Sequence, residues 1–160
     1  MKKLRRIFLV PICLVLVSCS TMLVKNASDV DDANAKKFTP DSAKAIVYVY
    51  RDDSFLGGDT TSNIFLNNKS VAEGARSRFN VLALPPGHYV LSSNSNDIGA
   101  LPAALHNRGK PPVELTVESG KLYFVHETWK GISGFFLITA VQEEAEQAIK
   151  KGKLIAFHQL

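Results

Sequence analysis

Between residues 45 and 157 apolar positions come in short bursts with the period of strands, separated by Gly, Pro, Asn and Asp. Ala45-Ile46-Val47-Tyr48-Val49-Tyr50-Arg51 is β-branched or aromatic at both parities, which predicts a strand covered on both faces. Asn63–Leu66 and Lys69–Ala72 flank Asn67-Asn68, residues that tolerate the left-handed angles of a tight hairpin. Arg78–Leu84 and His88–Ser93 flank Pro85-Pro86-Gly87, read as a hairpin corner because prolines cannot donate to a ladder. Val113–Glu118 alternates strictly, with one face buried and one wet, and Ser119-Gly120 turns the chain into a strand over Lys121–Trp129. Both glycine turns are followed within three residues by a tyrosine, Tyr89 or Tyr123. Phe135–Ile138 is the next strand, and Lys153–Phe157 the last.

One segment changes period. Val141, Ala145, Ala148 and Ile149 share a helical face, glutamates crowd its start, Lys150 and Lys151 its end, and Gly152 follows. Thr139 with Gln142 has the spacing of a capping box. About eight strands with one short helix before the last predict a mainly β domain, an antiparallel β-sandwich spanning residues 45–160.

The first 44 residues follow different rules. A basic start, Met1–Arg6, precedes an apolar run from Ile7 to Val17, the anatomy of an export signal. Eleven residues are too few to span a bilayer, which needs about 20. Leu16-Val17-Ser18-Cys19 closes the run and resembles the lipobox of bacterial lipoproteins. That resemblance implies removal of residues 1–18, a diacylglyceryl group on the Cys19 thiol and acylation (palmitate or a similar chain) of the new amino terminus. Anchoring by several chains is stable where one chain alone is marginal. In the lipoprotein pattern an Asp after the cysteine favours the inner membrane; Ser20 stands there and points to the outer membrane of a Gram-negative envelope, facing the periplasm. Residues 19–44 are polar without a sustained apolar period and are expected to form the lipid anchor and a flexible tether spanning roughly 25–30 Å. A short helix over Asp29–Lys37 is the competing reading.

Composition alters the picture through what the signal removes. Four of the 19 basic residues lie within the first 18 positions, so 15 remain against 15 acidic ones. A near-neutral domain lacks the basic surplus that nucleic-acid binding requires. Both cysteines, Cys13 and Cys19, are accounted for by the signal and the lipid. The folded part is left with no disulfide, thiol nucleophile or cysteine metal site.

Candidate chemistry is sparse. His126-Glu127-Thr128-Trp129-Lys130 begins like a helical zinc-protease motif, but Lys130 stands where the second histidine belongs, and the segment reads as a strand, with His126 and Glu127 a surface-facing pair. His88, His106 and His158 are scattered. Gly131-Ile132-Ser133-Gly134 lacks the spacing of a nucleophile elbow, and no phosphate-cradling loop is present. Asp52, Asp53 and Asp59 offer oxygens without the alternation of a calcium loop. No catalytic set, metal site or cofactor motif is therefore assigned. The candidate interaction surface is Trp129 with Ile132 beside its glycine loop, and Leu101 with Leu105 in the long Asp97–Lys110 connection.

Several residues together resemble a family of small bacterial envelope lipoproteins known only as a domain of unknown function. They are the Ala45–Arg51 opening, the Leu84-Pro85-Pro86-Gly87-His88-Tyr89 corner, the Gly120–Val125 strand and the Glu144-Ala145 helix before Lys153-Leu154-Ile155. The resemblance implies a β-sandwich and carries no catalytic residues. The reading is a non-enzymatic envelope lipoprotein, held to the membrane through Cys19 and serving as an interaction or accessory module for another envelope protein. The alternatives are an envelope hydrolase of glycan or peptide using His126 with Glu127, and a carrier of a small apolar ligand inside the sandwich.

Overall fold

The computed structural model describes residues 24–54, 60–95, 111–130 and 134–156. The chain order is α1 (Asp29–Ala35), β1 (Ala45–Arg51), β2 (Ser62–Leu66), β3 (Lys69–Gly74), β4 (Arg78–Leu84) and β5 (Gly87–Ser95). It continues with β6 (Val113–Val117), β7 (Leu122–Trp129), β8 (Phe135–Thr139), α2 (Gln142–Lys151) and β9 (Lys153–Leu154). Two sheets form a sandwich, one ordered β8-β7-β1-β4-β9 and the other β3-β2-β5-β6.

β1 is central and has both faces covered, as its composition requires. Its odd positions, Ala45, Val47 and Val49, meet Ile64, Leu91, Leu115 and Val117 of the second sheet. Its even positions, Tyr48 and Tyr50, join Phe79, Phe124, Ala145 and Ile149 beneath α2. The fold thus has a helical layer on the outer face of the five-stranded sheet, and its two cores share β1.

The strands are less uniformly antiparallel than expected. The four-stranded sheet is antiparallel throughout, but β1 runs parallel to β7 and β4 parallel to β9. β9 reaches β4 by way of the helix that follows β8, and β7 reaches β1 through two glycine corners. β4 belongs to one sheet and β5 to the other, so Pro85-Pro86-Gly87 carries the chain across the sandwich and does not close a hairpin. Ser119-Gly120 does the same between β6 and β7, with Gly120 at φ 75°. The tyrosines after each corner brace it: Tyr89 Oη donates to Pro85 O at 3.0 Å, and Tyr123 Oη accepts from Glu118 N at 3.0 Å. Asn67 and Asn68 do form the expected hairpin, with φ of 48° and 65°.

The tether expected over residues 19–44 is corrected from Val24 onward. Ala27 N donates to Leu154 O and Ala156 N to Lys25 O, both at 2.8 Å, so this stretch pairs antiparallel with the chain around Ile155. α1 follows, capped by Ser28, whose side chain accepts from Asp31 N. Buried Asp32 accepts from Leu154 N at 2.7 Å and from Lys36 Nζ at 2.7 Å, and the same Nζ reaches Gly152 O at 2.7 Å. Tyr48 Oη donates to Ala35 O at the helix end.

The capping box before α2 is also corrected. Thr139 is the last residue of β8, Val141 is the N-cap without a side-chain bond, and Gln142 turns forward to Glu146 at 2.8 Å. Gly152 ends the helix in extended backbone (φ −83°); its lack of a side chain matters because a Cβ would meet Ser77 O at 3.2 Å.

Candidate functional site

Strand parity puts charge between the sheets. Continuing the inward series of β1 brings Arg51 to the interior, and the inward series of β7, Val125 then Glu127, delivers its partner. Arg51 is 6% exposed and Glu127 1%. The guanidinium donates to Glu127 Oε2 from Nε at 3.0 Å and from Nη2 at 2.6 Å. Its Nη1 donates to Thr60 O at 2.6 Å, and Nη2 also reaches Ser62 Oγ at 2.8 Å. Ser62 and Ser93 donate their hydroxyls to Glu127 Oε1 at 2.6 and 2.7 Å. Phe135 lies beneath the guanidinium, its centroid 3.6 Å from Cζ. Gly74 closes the site by being small, since a Cβ there would collide with Glu127, Ser62 and Arg51.

Both carboxylate oxygens accept two bonds each, and the serine protons already point at them. A cluster so satisfied and so buried joins the two sheets through Arg51 and Glu127 of one and Ser62 and Ser93 of the other.

His126 faces the other way. It stacks on Tyr50 with centroids 4.7 Å apart and planes 6° from parallel, on the side of the sheet that carries α2. Its buried Nε2 is 3.4 Å from Asp52 Oδ2 but outside hydrogen-bonding geometry. Burial, then the charges of Asp52 and Glu144, push the Tyr50 hydroxyl up to about 12. The expected surface pair is thereby corrected: neighbours on a strand point to opposite faces, Glu127 into the interior and His126 outward. Asp53 accepts from Ser77 Oγ at 3.0 Å and faces Arg76 at 3.6 Å; Asp59 lies outside the described residues. Together with Asp52, Asp53 and Ser77 border an open cleft of about 380 Å³ completed by Glu144, Gln147 and Lys151 of α2.

Of the candidate interaction surface, Trp129 is half-buried at the end of β7, its ring edge-on to Phe135 at 4.9 Å. Ile132, Leu101, Leu105 and Cys19 lie outside the described residues. On the other face of the sheet from Trp129, β8 exposes Ile138 (43%), which pairs with His126, and Val141 (66%) follows it. Where β8 meets the second sheet, Phe135 and Phe136 border an open groove of about 420 Å³ shared with Phe65, Val90, Ser93 and Pro112. Among the described residues no helix is long and apolar enough to cross a membrane.

The ionic cluster is what sequence reasoning missed. Its signal was present: Arg51 ends an inward-facing series of Ala45, Val47 and Val49, and a charge at such a position demands a buried counterion.

These features define a two-sheet β domain with a helix on one face and an ionic bolt across its interior. The chain belongs to the family described as a protein of unknown function (DUF2846), whose model matches residues 41–134, more than half of it. The matched span contains Arg51, Ser62, Gly74, Ser93 and Glu127 and stops before β8 and α2. A Haemophilus influenzae protein described as uncharacterized is 26% identical over 157 residues, covering 96% of this chain and 85% of its own length.

Proposed function

We propose that the protein is an envelope lipoprotein, anchored to the outer-membrane leaflet facing the periplasm through Cys19, and that its β domain is a non-enzymatic interaction or accessory module. The observation that carries this reading is the Leu16-Val17-Ser18-Cys19 sequence at the end of a basic-then-apolar leader, with no cysteine anywhere after it. Two features of the fold favour a module over an enzyme. The side chains of Arg51, Ser62, Ser93 and Glu127 are buried and bonded to one another, and His126 and Glu127 lie on opposite faces of a strand. The carrier alternative is disfavoured because the space between the sheets is filled by Val47, Val49, Leu82, Leu91, Leu115 and Val125. An envelope protein is the expected partner, meeting the β8 edge around Trp129 and Ile138.

Feeding cells radiolabelled fatty acid tests the anchor. Label is expected in the wild-type protein and absent from Cys19→Ala; equal labelling of both, or of neither, would overturn the proposal. Crosslinking from position 138 in the native envelope is expected to capture a discrete protein. Crosslinks confined to lipid would remove the module reading.

A further inference from the structure

We infer that the β9 edge of the domain is apposed to the lipid headgroup surface and that the β8 edge is the one presented away from it; this rests on the lipidation of Cys19. Among the described residues, the first backbone groups bonded into the fold are Lys25 O, which accepts from Ala156 N, and Ala27 N, which donates to Leu154 O. Lys25 lies six positions after Cys19, with five residues between them. Even fully extended, six residues reach only about 20 Å, less than the width of a small domain. The anchor therefore holds the domain by one particular edge on a short leash. A lipoprotein on a 25-residue tether would be free to tumble.

The strand order sets what lies at each end. From the 24–27 segment the sheet proceeds through β9, β4, β1 and β7 to β8. At about 4.8 Å per strand, five steps put β8 roughly 24 Å from the anchored edge. The β8 edge, with Ile138 exposed on it, then sits on the side farthest from the lipid, open to a partner in the periplasm.

The surface at the anchored edge suits headgroups and not hydrocarbon. Lys25, Asp29, Asp31, Lys37 and Lys153 are exposed there in mixed charge, and Val30 (69% exposed) is the one large apolar side chain among the described residues of α1. Such a face rests at a hydrated interface without inserting, since a single valine provides far less apolar area than an interfacial helix needs.

The experiment uses the full lipidated protein in vesicles of phosphatidylethanolamine and phosphatidylglycerol carrying a headgroup-linked energy acceptor. Because no cysteine follows Cys19, single donors can be placed at Ala33→Cys on α1 and Ile138→Cys on β8. Transfer is expected to be higher from position 33 than from 138. A Gly/Ser spacer of about 20 residues after Thr21, which adds about 25 Å of mean reach, is expected to abolish most of the difference. Equal transfer from both positions, or a difference that the spacer leaves unchanged, would overturn the apposition. Failure of the unspaced protein to float with vesicles, matching Cys19→Ala, would instead bring down the lipid anchor on which it rests.

Discussion

Glu127 gathers four hydrogen bonds around two oxygens in a place where water cannot substitute for any of them. Removing one member of a buried ion pair leaves the other charge uncompensated, at a cost of about 3–5 kcal/mol. Glu127→Gln is expected to lose stability on that scale in urea denaturation. Arg51→Met combined with Glu127→Leu is expected to cost less than the two single changes summed, because each single change strands its partner. Additivity of the two would show that the pair is not coupled. Gly74→Ala tests the same site by volume. Its new methyl collides with Glu127 and Ser62, and a loss of at least the 1–3 kcal/mol typical of overpacking is expected. On the outer face, Tyr50 supplies a pH dependence. Its hydroxyl titrates higher folded than unfolded, so its contribution is intact below about pH 10 and disappears as pH rises through about 12. Tyr50→Phe is expected to flatten the alkaline limb of a stability-versus-pH curve; an unchanged limb would contradict the assignment.

Elements were legible where a local rule acts alone and obscure where partners are chosen at a distance. The Asn67-Asn68 hairpin follows from two residues that accept positive φ, and α2 from its stripe and charge order. The two glycine corners obey the same turn chemistry as hairpins, yet they send the chain between sheets, because turn residues set a reversal and not the identity of the paired strand. α1 left no apolar period to read. It is held through a polar residue, Asp32, which takes the Leu154 amide and the Lys36 ammonium. Burial acts to raise the Asp32 carboxyl, but the Lys36 and Leu154 hydrogen bonds and the charges of Lys36 and Lys153 outweigh it, leaving the group below its ordinary 3.8. A depressed carboxylate stabilises the fold above its unfolded value, and that contribution is lost as pH falls through the lower folded value. Asp32→Asn is expected to be less stable than wild type at neutral pH and to converge with it below the carboxylate range. Hydrogen exchange at the Leu154 amide is expected to speed up in the same variant. Protection equal to wild type would mean that α1 is not held by this contact.

At the scale of the molecule, the family-matched span holds Arg51, Ser62, Ser93 and Glu127, while α1, α2 and β9 lie outside it. Sequence alone conveyed the two-faced β1, the strand-rich plan and the amphipathic helix. It could not convey that residues 24–27 pair with residues 154–156, a contact across nearly the whole chain that turns an apparent tether into an edge of the domain. The same contact shortens the leash to the membrane and so ties the fold to the proposed address. Orientation at the membrane and access of a partner both depend on what becomes of Cys19. The intact mass of the protein extracted from the envelope measures this directly. The expected chain begins at Cys19 and is heavier than its amino acids by a diacylglyceryl group and one acyl chain; an unmodified chain, or one that still carries residues 1–18, would contradict lipid anchoring.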